Sequence, residues 1–199
     1  NNLKQIGLAL QNFHNTFDKV PPARWNGGSP GWAALMMPFM EGGNQYALWN
    51  FEEGYRHADN QQARETVIPA VLCPSRSRPE LLSRDRPGID PPGAVGDYAG
   101  SLGNDRRKLG GSPADPSFTD HDTGGVIIQP RTMWVSGVNK KWSSDISFKR
   151  ITDGTSNTIF VGEKHAMEQW LGWFPSDISI FNGNHLESMA RFAGLEDLN

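Results

Sequence analysis

The sequence predicts an α+β domain, and three observations carry that prediction. A single helical stripe opens the chain, short apolar segments separated by Gly/Pro/Asn loops follow it, and strands do not alternate with helices as they would in a βαβ protein. The 199 residues suit one domain. With 22 Gly and 14 Pro, these two residues make up about 18% of the chain. That is above the usual share of roughly 12% and below the 25–30% of low-complexity disorder. Seven Trp, ten Phe and three Tyr supply bulk for a core in a loop-rich fold.

The first element is the clearest. Leu3, Ile6, Leu10, Phe13 and Phe17 recur at spacings of three and four, which places them on one face of an α-helix. Lys4, Gln5, Gln11, Asn12 and Asn15 occupy the other faces, and Pro21-Pro22 stops the run. A helix of ~15 residues is marginal alone in water, so the stripe is expected to pack. No capping signal precedes it, and the chain is expected to enter partway along a longer helix.

Residues 23–31 read as a loop. Trp32 to Met40 is expected to form a short helix that ends near Glu41-Gly42-Gly43, and residues 57–66 are helix-compatible. Val67 to Cys73 reads as a short strand. Residues 75–93, with four prolines and four arginines, read as a surface excursion. Asp97-Tyr98-Ala99-Gly100 leads into a polar loop over 103–124. Strand candidates follow at 125–128, 133–135, 146–148 and 158–162, with further extended candidates at 170–174 and 178–181. The turn Asp153-Gly154 precedes the 158–162 segment.

Composition excludes several classes. Lys and Arg total 19 against 22 acids, for a net charge of −3. The chain lacks the basic patch that phosphate neutralisation needs, and no nucleic-acid partner is expected. No apolar run approaches the ~20 residues that span a bilayer. One cysteine, Cys73, rules out an internal disulfide and a multi-cysteine metal site. The glycine pairs lack dinucleotide-binding or Walker spacing, and there is no Gly-x-Ser-x-Gly elbow.

The residues that could carry chemistry also have plain structural readings. Cys73 ends an apolar segment before Pro74, where a lone cysteine serves as a small buried apolar residue. Asp120-His121-Asp122, with Asp115 nearby, offers metal-ligand atoms. Adjacent side chains on an extended strand diverge, so a solvated loop accounts for the run equally. Trp25, Trp32, Trp134, Trp142, Trp170 and Trp173 could build a sugar-stacking platform, of which Trp170 and Trp173 are the best pair. Most tryptophans in a small domain belong to the core.

A resemblance extends these readings. The strings Asn1-Asn2-Leu3-Lys4-Gln5-Ile6-Gly7-Leu8-Ala9-Leu10 with Phe13-His14 and Val20-Pro21-Pro22-Ala23 resemble one family. So do Gly31-Trp32, Pro38-Phe39-Met40-Glu41, Val71-Leu72-Cys73-Pro74-Ser75 and Asp97-Tyr98-Ala99-Gly100. The last matches are Ile151-Thr152-Asp153-Gly154-Thr155-Ser156-Asn157-Thr158-Ile159 and Gly162-Glu163. Together, in order, they resemble the DUF1559 proteins of planctomycetes and related bacteria, which carry a prepilin-type N-terminal cleavage and methylation segment. The family's closing His-x9-Asp-Gly pattern is not met, because His185 is followed by Leu195-Glu196.

The resemblance implies a pilin-like fold: an N-terminal α-helix packed on a small antiparallel β-sheet, with long loop-rich insertions. Residues 1–19 would be the C-terminal half of the pilin helix, with Leu3, Ile6, Leu10, Phe13 and Phe17 as its packing and self-assembly stripe. Residues 23–124 would be the inserted region and residues 125–199 the antiparallel strands. The implied function is a structural subunit of an extracellular filament or type II secretion pseudopilus, without catalytic activity. Its partners would be further copies of itself and an assembly machinery. It would be exported to the envelope or beyond and would touch the membrane only through a segment ahead of Asn1. No cofactor is expected beyond a structural calcium ion of the kind some pseudopilins hold, with Asp97, Asp153 and Asn157 as oxygen ligands. The other reading is an envelope-anchored carbohydrate- or ligand-binding module that does not polymerise, using Trp170 and Trp173.

Overall fold

A computed structural model describes residues 1–24, 28–84, 86–103, 125–127, 144, 146–174 and 177–191. The helix α1 spans Asn2–Phe17 and ends where Asp18 turns into the left-handed region, its N–H donating to the His14 carbonyl at 2.7 Å. Ile6, Ala9, Leu10 and Phe13 are buried, so three of the five stripe residues enter the core. Leu3 and Phe17 remain more than two-fifths exposed, as does Leu8. The helix packs on the single-turn helices Met37–Phe39 and Pro69–Val71 and on the segments Trp32–Met36 and Val161–Glu163, and Phe17 still meets Phe39 edge-on, ring centroids 6.2 Å apart. Phe13 stands edge-on to Phe39, ring centroids 5.5 Å apart. The Asn2 side chain pins the helix start by donating to the Leu72 carbonyl at 2.6 Å.

The expected second helix forms as α2, Trp32–Met36, continued by the turn Met37–Phe39. All five α2 residues are buried, and the Trp32 indole N–H donates to the Met189 carbonyl at 2.7 Å. Trp32 is therefore a core residue, and so is Trp49. A short α3 covers Gly43–Tyr46. Residues 57–66 are helical as expected, as a turn at Ala58–Asn60 followed by α4, Gln61–Glu65.

The class is α+β. The sheet has three strands in the order β2-β1-β3, with β1 at Tyr98–Ser101, β2 at Val161–Glu163 and β3 at Ala190–Arg191. It is mixed, which corrects the antiparallel expectation: β1 pairs antiparallel with β2 (Ala99 opposite Gly162) and parallel with β3 (Gly100 opposite Ala190). A parallel pair needs a long connection rather than a tight turn. Here it is everything between 101 and 190. The central strand comes from the 23–124 segment, at the string that had read as the entry to a polar loop.

Several strand expectations resolve otherwise. Val67–Cys73 contains the single-turn helix Pro69–Val71, whose first position suits proline's fixed φ. The 158–162 candidate becomes strand only from Val161. Residues 146–148 lead into the turn Phe148–Arg150, and 170–174 and 178–181 are turns. Short apolar runs do not separate strands from buried turns by periodicity. Residues 125–127 bend against β1, with the Ile127 N–H donating to the Ser101 carbonyl at 3.1 Å. The 133–135 candidate, Asp115, Asp120-His121-Asp122, Trp25, Trp134 and Trp142 lie outside the described residues.

Candidate functional site

The most organised feature of the interior is a cluster of charges to which the 75–93 segment, much of it exposed, contributes Arg76 and Arg78. Asp97, at the edge of β1, has no solvent exposure. Its Oδ1 accepts from Arg76 Nη1 at 2.8 Å, from Arg78 Nε at 2.8 Å and from Arg78 Nη2. Its Oδ2 accepts from the Cys73 N–H at 2.7 Å. Arg78, 3% exposed, also reaches Asp177, donating from Nη1 to Oδ2 at 2.5 Å and from Nη2 to Oδ1 at 3.1 Å. Lys164, just past β2, is fully buried with Nζ 2.8 Å from Asp177 Oδ1. That contact is an ion pair off the hydrogen-bond axis. Arg76 Nη2 donates to the Lys164 carbonyl at 2.7 Å, and the Lys164 N–H donates to the Asp97 carbonyl at 2.7 Å. The cluster thus ties together four distant stretches of chain.

Its electrostatics follow from burial and pairing. Burial alone would raise the Asp97 carboxyl, but hydrogen bonds from Arg78 and the Cys73 N–H hold it below the usual carboxylate range. Asp177 is pulled against the same burial to about 2, chiefly by the charge of Lys164 and the Arg78 hydrogen bond. Burial pushes the Lys164 ammonium down to about 8, with Asp177 opposing and Arg191 and Arg78 adding to the depression. Three cations, Arg76, Arg78 and Lys164, face two anions, Asp97 and Asp177. Burial is the main reason the lysine is the member whose charge is disfavoured, and the neighbouring guanidinium groups add to it. With no solvent exposure on Lys164, Asp97 or Asp177, the chemistry of this cluster is cohesion.

The cluster supports a surface feature. The Asp177 Oδ2 accepts the Gly172 N–H at 2.8 Å, and Gly172 adopts φ +75°, where glycine is favoured. The Gly172 carbonyl accepts from the Arg84 N–H at 2.9 Å. Gly172 therefore holds the loop 167–174 between the ion cluster and the 82–94 segment, which is bridged at Leu82–Ala94 and Arg86–Asp90. Met167, Trp170, Trp173 and Phe174 project from this loop, the two tryptophans 46% and 42% exposed. Arg84 and Arg86 lie over its rings. The Arg84 guanidinium is 4.3 Å from the Trp173 centroid and that of Arg86 is 3.9 Å from Phe174. The Phe174 ring meets His185 edge-on at 5.0 Å. His185 Nε2, Arg56 and Arg86 converge on the buried carboxylate of Asp90, at 2.7, 3.0 and 3.2 Å. Burial would raise Asp90, but hydrogen bonds to His185 and Asn182 hold it well below the usual range.

The predicted site residues are therefore scattered. Trp170 and Trp173 are both exposed on the loop 167–174. The three calcium candidates do not share one environment: Asp97 spends both carboxylate oxygens on N–H donors, while Asp153 and Asn157 are exposed. The Asn157 side chain donates to the Asp153 carbonyl at 2.9 Å and Thr158 to Gly154 at 3.0 Å, the turn bonding that segment's composition suggests. Among the described residues no group of three His, Cys, Asp or Glu is placed to hold a metal. Cys73 is buried, its Sγ 3.4 Å from Glu163 Oε1. Sequence reasoning missed Arg78, Lys164 and Asp177. The one available signal was the two-residue spacing of Arg76/Arg78 and Arg84/Arg86 in an extended, proline-rich stretch.

The architecture is that of a small-sheet α+β domain built around a buried ion-pair cluster that braces an aromatic surface loop. The chain belongs to the family described as Protein of unknown function (DUF1559), whose model matches residues 1–187. Neither a curated protein nor a solved structure matches it.

Proposed function

We propose that this chain is the head of a structural subunit of an extracellular pilus-like filament or secretion pseudopilus, acting by self-assembly. The observation that carries the reading is the double character of α1. Ile6, Ala9, Leu10 and Phe13 dock it on the head, while Leu8, 54% exposed, stands on the opposite side. A helix with apolar positions on both sides suits packing against like helices as well as against its own domain. In this reading the protein is exported, its partners are further copies and an assembly machinery, and it works without a cofactor or catalysis. It meets the membrane through an apolar segment ahead of Asn1, of the ~20 residues that span a bilayer. The fold is then pilin-like in its helix and its small sheet.

Intact mass and N-terminal sequence of the native protein test this. The expected result is a mature start at an N-methylated apolar residue upstream of Asn1, with native filaments lost in Leu8→Asp. A mature start after an ordinary cleaved signal peptide overturns the reading.

The exposed aromatic loop favours a second reading, an envelope-anchored carbohydrate- or ligand-binding module. Glycan binding lost in Trp170→Ala or Trp173→Ala, by protein that forms no filaments, would favour it.

A further inference from the structure

The last turn of α1 is tied to the segment ahead of β2 through one imidazole. The His14 ring lies flat on the Phe148 ring, with centroids 3.8 Å apart and planes within 1° of parallel. Its Nε2 accepts the Phe148 backbone N–H at 3.2 Å. A backbone N–H can only donate, so that nitrogen offers a lone pair and the ring proton sits on Nδ1. Two further contacts complete the joint. The Val20 N–H donates to the Ile146 carbonyl at 2.9 Å, and Phe148 stands edge-on to Phe160, ring centroids 5.7 Å apart, at the approach to β2. The same Nε2 lies 3.8 Å from the Asp18 carboxylate, one helical turn on and largely exposed. His14 itself is 13% exposed, so solvent protons reach it.

We propose that His14 is a pH-operated latch: neutral, it holds the Phe148 backbone on α1, and protonated, it releases the Phe148 N–H and turns to Asp18. Taking up a proton fills the lone pair that Phe148 uses and leaves two N–H donors facing each other. A part-buried donor stripped of its acceptor is destabilising. The charged ring has another partner within reach in Asp18, and it stands at the carbonyl end of the α1 dipole, where a cation is favoured. Each protonation state therefore has its own partner, as a two-state element requires. The charged groups around the ring are Asp18 and Lys19 at the end of α1, and Lys149 and Arg150 on the turn Phe148–Arg150. The two cations follow Phe148 and the carboxylate sits on the helix, so charge too draws an imidazolium from Phe148 towards Asp18. The stack opposes full separation, since a ring face attracts a cation, and this confines the change to the backbone bond of Phe148. The device goes beyond both functional readings and rests on neither.

The test is nuclear magnetic resonance of the isotope-labelled full chain between about pH 8 and pH 5, the range in which imidazoles change charge. The His14 ring nitrogens are followed together with hydrogen exchange at the Phe148 amide, expressed as protection so that the intrinsic pH dependence of exchange drops out. The inference expects the Nδ1–H tautomer at the alkaline end and a loss of Phe148 protection of about tenfold or more as His14 takes up its proton. Phe13, inside α1, should keep its protection throughout. In His14→Gln, which offers an amide oxygen and does not titrate, Phe148 protection should not change with pH. In Asp18→Asn, which removes the acid-state partner, the loss should move to lower pH. An Nε2–H tautomer at the alkaline end, or Phe148 protection unchanged while His14 titrates, overturns the latch. The same loss in His14→Gln assigns it to another group and overturns it equally. Protection lost at Phe13 in step with Phe148 is global unfolding and overturns a local device. An unmoved midpoint in Asp18→Asn overturns the exchange of partners.

Discussion

Replacing Lys164 by methionine removes the one charge in the buried cluster that the fold disfavours. The side chain has no solvent exposure, and its ammonium is pushed from 10.5 to about 8. That depression of about 2.5 units corresponds to about 3 kcal/mol against the charged form in the native state. The sign follows from proton counting. Between about pH 8 and the unfolded value of 10.5, the unfolded chain holds the proton and the native chain has released it. Stability therefore rises with pH across this window. Below pH 8 both states are protonated and the penalty is fully present; above 10.5 neither is and it is gone. Lys164→Met has no such group, and titrations common to the two proteins cancel in the difference. Urea unfolding at half-unit steps from pH 7 to 11 should show the wild type gaining about 3 kcal/mol on the variant. A flat difference across the window would refute the reasoning, because the lysine would then be solvated or fully compensated in the native protein.

Asp97→Asn, which strips the charge from an acceptor facing Arg76, Arg78 and the Cys73 N–H, should lose about 3–5 kcal/mol in denaturant unfolding. A loss under about 1 kcal/mol would mean that water reaches the cluster. Phe13→Ala in the α1 core face should cost about 3–5 kcal/mol, whereas Leu3→Ala on the exposed end should stay within about 0.5. Equal effects would contradict the assigned helix face. Gly183→Ala should destabilise strongly by thermal melting, because a Cβ there would overlap the Ser29 carbonyl oxygen; an unchanged Tm would dispute the packing of 183 on 29. Below about pH 4, stability should fall as the carboxyl of Asp177, ordinary value 3.8 and held at about 2, takes up its proton, and Asp177→Asn should flatten that limb.

The parts legible in the sequence were those set by neighbours along the chain. The α1 stripe, the helical Trp32 to Met40 run, the 57–66 helix and the Asp153-Gly154 turn all follow from spacing, proline and glycine within a few residues of one another. The family strings, too, are local. Tertiary structure decided the rest, because the deciding partner is far away in sequence. Arg78 looks like a surface residue until Asp177, 99 positions on, supplies the carboxylate that makes its burial affordable. Trp32 and Trp170 are the same residue type, yet one is sealed by the Met189 carbonyl and the other stands in solvent. The parallel pairing of Gly100 with Ala190 joins segments with no local signal for each other. Periodicity reports which face of an element is apolar. Which charges are buried, and which rings are left outside, is settled only when distant segments meet, since burying a charge is tolerable only beside its counter-charge.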